Sequence, residues 1–444
     1  MKTRFCPFRL VLGLLVAAAF STAAADAKTG MPRTADSVIL AMLTNIKTNG
    51  LNAQAKGTDG LGGLWINWRT GTQPLVVNLN GSGEPDGDAP EQTRHDDLTD
   101  LRYLHNLFYF KHQHPHDPQF DGEIRRFSAI VKKEFADAKN ERGWIYDELI
   151  SLWQLSGDDF FRTTARGQVE HFVSKLYRDD IGAVYKLKPP QKTNGYYRVD
   201  HALQIGCAMV QAGTEFKQPE WTAKGERLVQ FVYDHAYLKE HHVFLAQMDE
   251  VRLPDGSANP NQKIYREKVK HYVADGGHVR LGGMGQDVLS LLHAYIVTKK
   301  PIWLDRATDL LTPLTADVNE LGLWDTKDGG YFAGVEFNGP DFRNPGQPKL
   351  SNKSKESGRQ FHLLQAFHVA NQLTGGKYQS MVNAMTRVLL EKAYYAPGGG
   401  ILYEVQPDWT PRVLKNGKPA DWVTTEAMGC AMMALFSMNE PQPW

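Results

Sequence analysis

The chain has 444 residues, 42% of them hydrophobic, with 50 Lys and Arg against 50 Asp and Glu. That apolar content is enough for a core and excludes wholesale disorder. Beyond residue 25 the balance is 47 basic to 50 acidic residues, which excludes the basic excess of a nucleic-acid binder and the polybasic patch of a membrane-coating protein.

The N-terminus carries Lys2, Arg4 and Arg9, then the apolar run Leu10–Phe20, then Ala23-Ala24-Ala25. A positive segment, a short apolar run and small residues are the pattern of a secretory signal peptide. The run falls short of the roughly 20 residues that span a bilayer. The expected layout is therefore a signal peptide over 1–25 and one domain over 26–444, periplasmic or secreted, with no membrane span. Cys6 precedes the apolar run, so a lipoprotein anchor is not expected. Cys207 and Cys430 sit in the small apolar segments IGCAMV and MGCAMM. Both a pair of buried thiols and a disulfide fit an oxidising compartment.

Val38, Ile39, Met42 and Ile46 share one face of a first helix. Trp65 and Trp68 follow. The segment 78–91 (NLNGSGEPDGDAPE) has turn chemistry and the acids Glu84, Asp86 and Asp88. It could hold Ca²⁺ through oxygens, yet it lacks the full EF-hand pattern, so a plain loop is the expectation and no cofactor is assigned. Apolar segments then begin near Asp97, Asp147, His201, Asp287, Gln360 and Glu426. They are apolar on most sides, as helices buried all round are. Between them lie segments with one apolar face: 121–137, Phe161 to Leu176, 221–237, Trp303 to Leu314 and Tyr378 to Leu389. The periodicity predicts six inner helices and five outer ones, with the helix bearing Val38 as the sixth outer helix beside the last inner one. The stretch 328–337 (DGGYFAGVEF) alternates like a short strand pair. The polar linker 337–358 reads either as a surface loop or as a lid bringing Lys353, Lys355, Glu356 and Arg359 to the substrate. His112, His114 and His116 are assigned to a solvated turn, with no metal site.

This pattern resembles the all-α (α/α)6 toroid of six-hairpin carbohydrate-active enzymes, with small β decorations in its loops. The resemblance implies that the loops preceding the inner helices converge on a cleft. Those loops read TRHDD (93–97), GWIYDE (143–148), GYYRVDH (195–201), GGHVRLGGMGQD (276–287), KESGRQFH (355–362) and DWVTTE (421–426). A single acid there reads as a helix cap. Capping does not account for the aromatic, His and Arg residues at the same positions, which suit sugar faces and hydroxyls. The candidate substrate-binding residues are Trp144, Tyr196, Tyr197, Arg198, Asp200, His278, Arg280, Asp287, Arg359 and Trp422.

The candidate catalytic residues are Asp96, Asp97, Tyr146, Asp147, Glu148 and His201. Two carboxylates across a cleft can cut a glycosidic bond, one as acid and the other as nucleophile or base. The pair Asp96-Asp97 resembles the acidic pair of the endo-α-1,6-mannanase family, although its flanks, RHDDLTDLRY, differ from that family's. The expected activity is glycoside hydrolysis of a poly- or oligosaccharide. A uronate lyase using Tyr, His and Arg is the alternative. Sugar epimerisation and non-catalytic glycan binding remain open. The glycines of 282–285 follow no strand in a GxGxxG pattern, so a nucleotide is not expected.

Overall fold

The chain enters the toroid with α1 (Ala35–Asn49), capped by Thr34, whose side chain accepts from the Ser37 N–H. Five helix pairs follow: α2 (Asp97–Gln113) with α3 (Asp121–Glu134), α4 (Trp144–Ser156) with α5 (Asp159–His171), α6 (Val199–Glu215) with α7 (Pro219–Ala236), α8 (Leu281–Thr298) with α9 (Pro301–Leu311), and α10 (Arg359–Leu373) with α11 (Gln379–Val388). The last helix is α12 (Thr425–Met438). This computed structural model describes residues 33–52, 62–70, 75–76, 97–137, 140–180, 182–184, 196–245, 247–250, 272–274, 278–337 and 346–439. The expected signal peptide and the segment 78–91 lie outside them.

Burial separates the two helix classes. Helices α2, α4, α6, α8, α10 and α12 bury residues around most of their circumference. The outer helices bury one stripe, such as Phe127, Ile130 and Val131 in α3, or Phe161, Ala165 and Val169 in α5. Apolar area removed from water therefore dictates which helix faces inward.

Side-chain contacts can be followed round the whole inner ring. Arg102 of α2 bonds Glu148 of α4. Gln211 of α6 bonds Asp147 of α4, and Gln204 of α6 bonds Asp287 of α8. The backbone of α10 at His362 packs onto Gly285 of α8, and the His362 ring meets Cys430 of α12. Arg102 also reaches Cys430 and so closes the ring. Helix α1 packs on α12, as the sequence pattern requires. Cys207 and Cys430 are free, buried thiols.

Turn chemistry sets the hairpins. Gly157 ends α4 with φ +69°, and its N–H reaches the Trp153 carbonyl at 2.8 Å, the left-handed ending that glycine adopts without a Cβ penalty. The turns into α7 and α9 place Lys217 and Lys299 at positive φ, and Pro219 and Pro301 then start the next helix.

Short strands gather where inner helices begin. Tyr196–Arg198, before α6, pairs with Gln247–Glu250, which pairs with Tyr272–Ala274. His278–Arg280, before α8, pairs with Gly334–Phe337, which pairs with Pro348–Asn352. Lys355–Glu356 precedes α10 and pairs with Glu404–Val405; Val423–Thr424 precedes α12 and pairs with Asn67–Arg69.

Candidate active site

Glycine decides how α4 enters the ring. A Cβ on Gly143 would stand 2.2 Å from the Gln204 carbonyl carbon and the Ile205 nitrogen. The helix start therefore lies directly on the backbone of α6, and the first turn of α4 aims Trp144, Tyr146 and Asp147 at the ring axis. There, residues of all six inner helices enclose a cavity of about 160 Å³. Its wall includes His105 and Tyr109 from α2, Gln211 and Glu215 from α6, and His362 and Gln365 from α10. Met433 comes from α12, and α8 supplies a stripe from Gln286 to Val297. The lining reaches the exposed Gln154 and Val297 near the C-terminal ends of α4 and α8.

Three carboxylates face this cavity in different surroundings. Asp147 accepts from Gln211 Nε2 at 2.9 Å and from Ser290 Oγ at 3.4 Å, and His293 Nδ1 lies 3.4 Å from it. Among the described residues no Arg or Lys pairs with it. Glu148 is held by Arg102 through Nε at 3.0 Å and Nη2 at 2.9 Å, with His105 Nδ1 at 3.8 Å. Burial opposes its ionisation, but Arg102 and His105 outweigh burial and hold the carboxyl below its usual range. Arg102 also lies over the Trp144 ring, 4.5 Å from its centre. Glu215 accepts from the Tyr146 hydroxyl at 3.1 Å and from Arg162 Nε at 3.2 Å. Burial first, and the Glu215 charge second, push the Tyr146 phenol well up, so it stays protonated.

The imidazoles differ as well. His105 Nε2 meets Ser151 Oγ at 2.7 Å. His362 Nε2 meets Cys430 Sγ at 3.2 Å, and burial, with Arg102 and Arg359 nearby, keeps His362 neutral. Burial likewise pushes the Cys430 thiol up to about 11.

A second polar group stands where α6, α8 and α10 begin. Helix α8 starts at Leu281, before the Asp287 expected from sequence, and its first turns carry Gly282, Gly283 and Gly285. A Cβ on Gly282 would meet Arg359 at 2.6 Å, one on Gly283 would meet Asp200 at 2.8 Å, and one on Gly285 would meet His362 at 2.6 Å. The missing side chains thus make room for Asp200, Arg359 and the α10 backbone. Asp200 is bonded by Arg198 and by the His201 N–H. Gln204 Nε2 donates to Asp287 Oδ1 at 2.8 Å. Burial and the Asp200 charge push Asp287 well up. Asp200 is itself held low, where His201 and Arg198 overcome its burial. Arg359 lies 3.4 Å from Glu356 and 3.9 Å from Glu426.

Of the residues expected from sequence, the cavity unites Trp144, Tyr146, Asp147 and Glu148. Arg198, Asp200, His201, Asp287 and Arg359 form the separate group at the helix starts. Tyr196, Tyr197, His278 and Arg280 lie on the strands that lead into α6 and α8. Asp97 is the first residue of α2, where its carboxylate accepts from the Leu98 N–H. Asp96 lies outside the described residues.

Trp422 does not reach the cavity; it is buried in a small cluster with Leu414 and Ala420. Lys355 does not reach it either. Its ammonium is fully buried, 2.7 Å from Asp325 and 2.7 Å from the Gly329 carbonyl, and acts as a post under the strands. His114 tilts against Phe110 at the end of α2, away from the cavity. Sequence reasoning missed His105, Gln211, Glu215, Ser290 and His293. Their only signal is a polar side chain inside a helix that is otherwise apolar all round.

No family model matches the sequence, and no curated protein matches it. Solved structures do. An unsaturated glucuronyl hydrolase from Bacillus sp. GL1 superposes with a TM-score of 0.58 at 13% identity, over 91% of this chain and 96% of that one. An α-1,6-mannanase from Salegentibacter sp. HEL1_6 gives 0.57 at 11% identity, over 91% and 99%. A D-mannose isomerase gives 0.57 at 10% identity, over 90% and 96%. The chain therefore has the (α/α)6-toroid fold that these carbohydrate-active enzymes share.

Proposed function

We propose that this protein is a carbohydrate-active enzyme that hydrolyses a glycosidic bond, exported by its N-terminal signal and working in the periplasm or outside the cell. The observation that carries the reading is Asp147. It is the cavity carboxylate that no described cation neutralises, and its partners are a neutral amide, a hydroxyl and an imidazole. It can attack the anomeric carbon or take the proton of an attacking water. Glu215 is the second carboxylate; it would take up a proton as the substrate displaces Arg162 from it and pass that proton to the leaving oxygen. Trp144 offers sugar the ring face that Arg102 does not cover, and Gln211 and Gln365 offer amides to hydroxyls. The scheme draws acid and base from side chains and calls for no metal. The fold neighbours support the reading, because they include hydrolases of glycosidic bonds.

The test is product mass after incubation with neutral and uronate-containing glycans. Hydrolysis adds one water for each bond cut. Asp147→Asn is expected to lower kcat at least 1,000-fold with the circular-dichroism spectrum unchanged. Glu215→Gln is expected to lose activity on sugar leaving groups but to keep it on activated aryl glycosides, which need no acid. Full turnover in Asp147→Asn on a natural glycan would remove the proposal.

A second reading rests on the imidazoles of His105, His293 and His362 around the same cavity. With Asp147 orienting His293, the site could move a proton beside a sugar carbonyl, as an epimerase or isomerase does. Solvent deuterium entering a monosaccharide, with no water added, would select it. A uronate lyase finds less support: no Arg or Lys lines the described cavity, and Tyr146 holds its proton too tightly to act as base.

A further inference from the structure

We infer that the axial cavity takes one uncharged sugar unit and rejects uronates; the inference rests on the hydrolase reading of the same site and adds the substrate class. Size is the first argument. A volume of about 160 Å³ has room for roughly 11–16 waters, at about 10–15 Å³ each. A hexose has twelve non-hydrogen atoms, so one ring matches that water.

Charge is the second argument. The lining contains Asp147, Glu148 and Glu215 and, among the described residues, no Arg or Lys. Arg102 is spent on Glu148 and Arg162 on Glu215. Asp147 has only a neutral amide, a hydroxyl and His293 beside it. A uronate carboxylate would enter next to this carboxylate with no guanidinium to receive it. A guanidinium is the side chain best matched to a carboxylate.

Hydrogen-bonding type is the third argument. Gln154, Gln286 and Gln365 each carry a donor and an acceptor, as a sugar hydroxyl does. Leu289, Ile296 and Met433 supply apolar wall for the C–H faces of a ring.

The experiment is titration calorimetry of the mature protein at neutral pH. The ligands are methyl glucoside, mannoside and galactoside, set against glucuronate and galacturonate. The expected result is that a neutral glycoside binds at least tenfold tighter than the matching uronate. In Asp147→Asn, with its fold checked by circular dichroism, the gap should shrink at least threefold because the repelling carboxylate is gone. Gln365→Leu should weaken the neutral sugar without narrowing the gap. Uronate binding as tight as neutral sugar in the wild type would overturn the inference, and so would no binding by any sugar in the panel. The hydrolase reading is judged separately by product mass. Neutral binding with no water-added product would sink that reading and leave the binding preference standing, whereas cleavage of a uronate glycan would do the reverse.

Discussion

Asp147 and Glu148 are neighbours in sequence, and consecutive helical residues point about 100° apart. That angle sends one carboxylate to amide, hydroxyl and imidazole partners and the other to Arg102. For a buried pair, the cost of removing one member comes mostly from the charge left behind. Glu148→Gln is expected to destabilise the fold by about 3–5 kcal/mol, read as a lower urea midpoint with unchanged slope. Arg102→Met with Glu148→Leu should recover most of that loss, because no buried charge remains; a double variant as unstable as the single would refute this. Asp287 makes a different prediction. Its folded form binds the proton more tightly than the unfolded chain does. Wild-type stability therefore falls as pH rises from the ordinary Asp range, about 4, towards neutrality, and Asn has no proton to lose. The melting temperature of Asp287→Asn, minus that of the wild type, should widen from pH 4 to pH 7. A constant difference would mean that Asp287 is ionised in the folded protein.

Among the elements, α4 depends most visibly on one missing side chain. A Cβ at Gly143 would need the backbone of α6 to retreat from Gln204 and Ile205. Overpacking of this kind costs about 1–3 kcal/mol when neighbours can shift, and backbone shifts less readily than the end of a side chain. Gly143→Ala should therefore lie at or above the top of that range and displace Asp147. Gly122→Ala, with open space around its Cβ, should be neutral or better. The identity of the helices was legible because burial on all sides, or on one, leaves a pattern in the sequence. The pattern bearing Val38, Ile39, Met42 and Ile46 even placed α1 beside α12. The start of α8 was less legible, since glycine weakens local helix propensity and only the close approach of Asp200, Arg359 and His362 explains it. The site was half legible. WIYDE was found from its loop, but Gln211, Glu215 and His293 sit deep in helices α6 and α8, where no turn or cap marks them. Trp422 carried an aromatic signal that packing with Leu414 and Ala420 had already used.

Across the whole molecule, a ring has no end that can be trimmed. Inner helices are apolar all round, so each requires both inner neighbours and an outer helix to cover it. For α12 the outer cover is α1, which buries Val38, Ile39, Met42, Leu43 and Ile46, all at 2% exposure or less. At about 1.5–3 kcal/mol for each buried side chain, these five contribute roughly 7–15 kcal/mol before the entropy of ordering α1 is subtracted. A folded domain has only about 5–15 kcal/mol in total. Asn45 adds bonds to the Gly398 and Gly399 carbonyls at 2.8 and 2.9 Å, tying α1 to the segment that leads towards α12. A chain beginning at Asn49 should then lose more than the fold can spare, although α1 contributes no residue to the cavity. The expected outcome is a chain that stays collapsed and binds a hydrophobic dye without a cooperative melt. Adding a peptide of residues 33–50 should restore the melt if α1 acts as a cover. A truncated chain that melts cooperatively on its own would show that the inner ring is stable without its sixth outer helix.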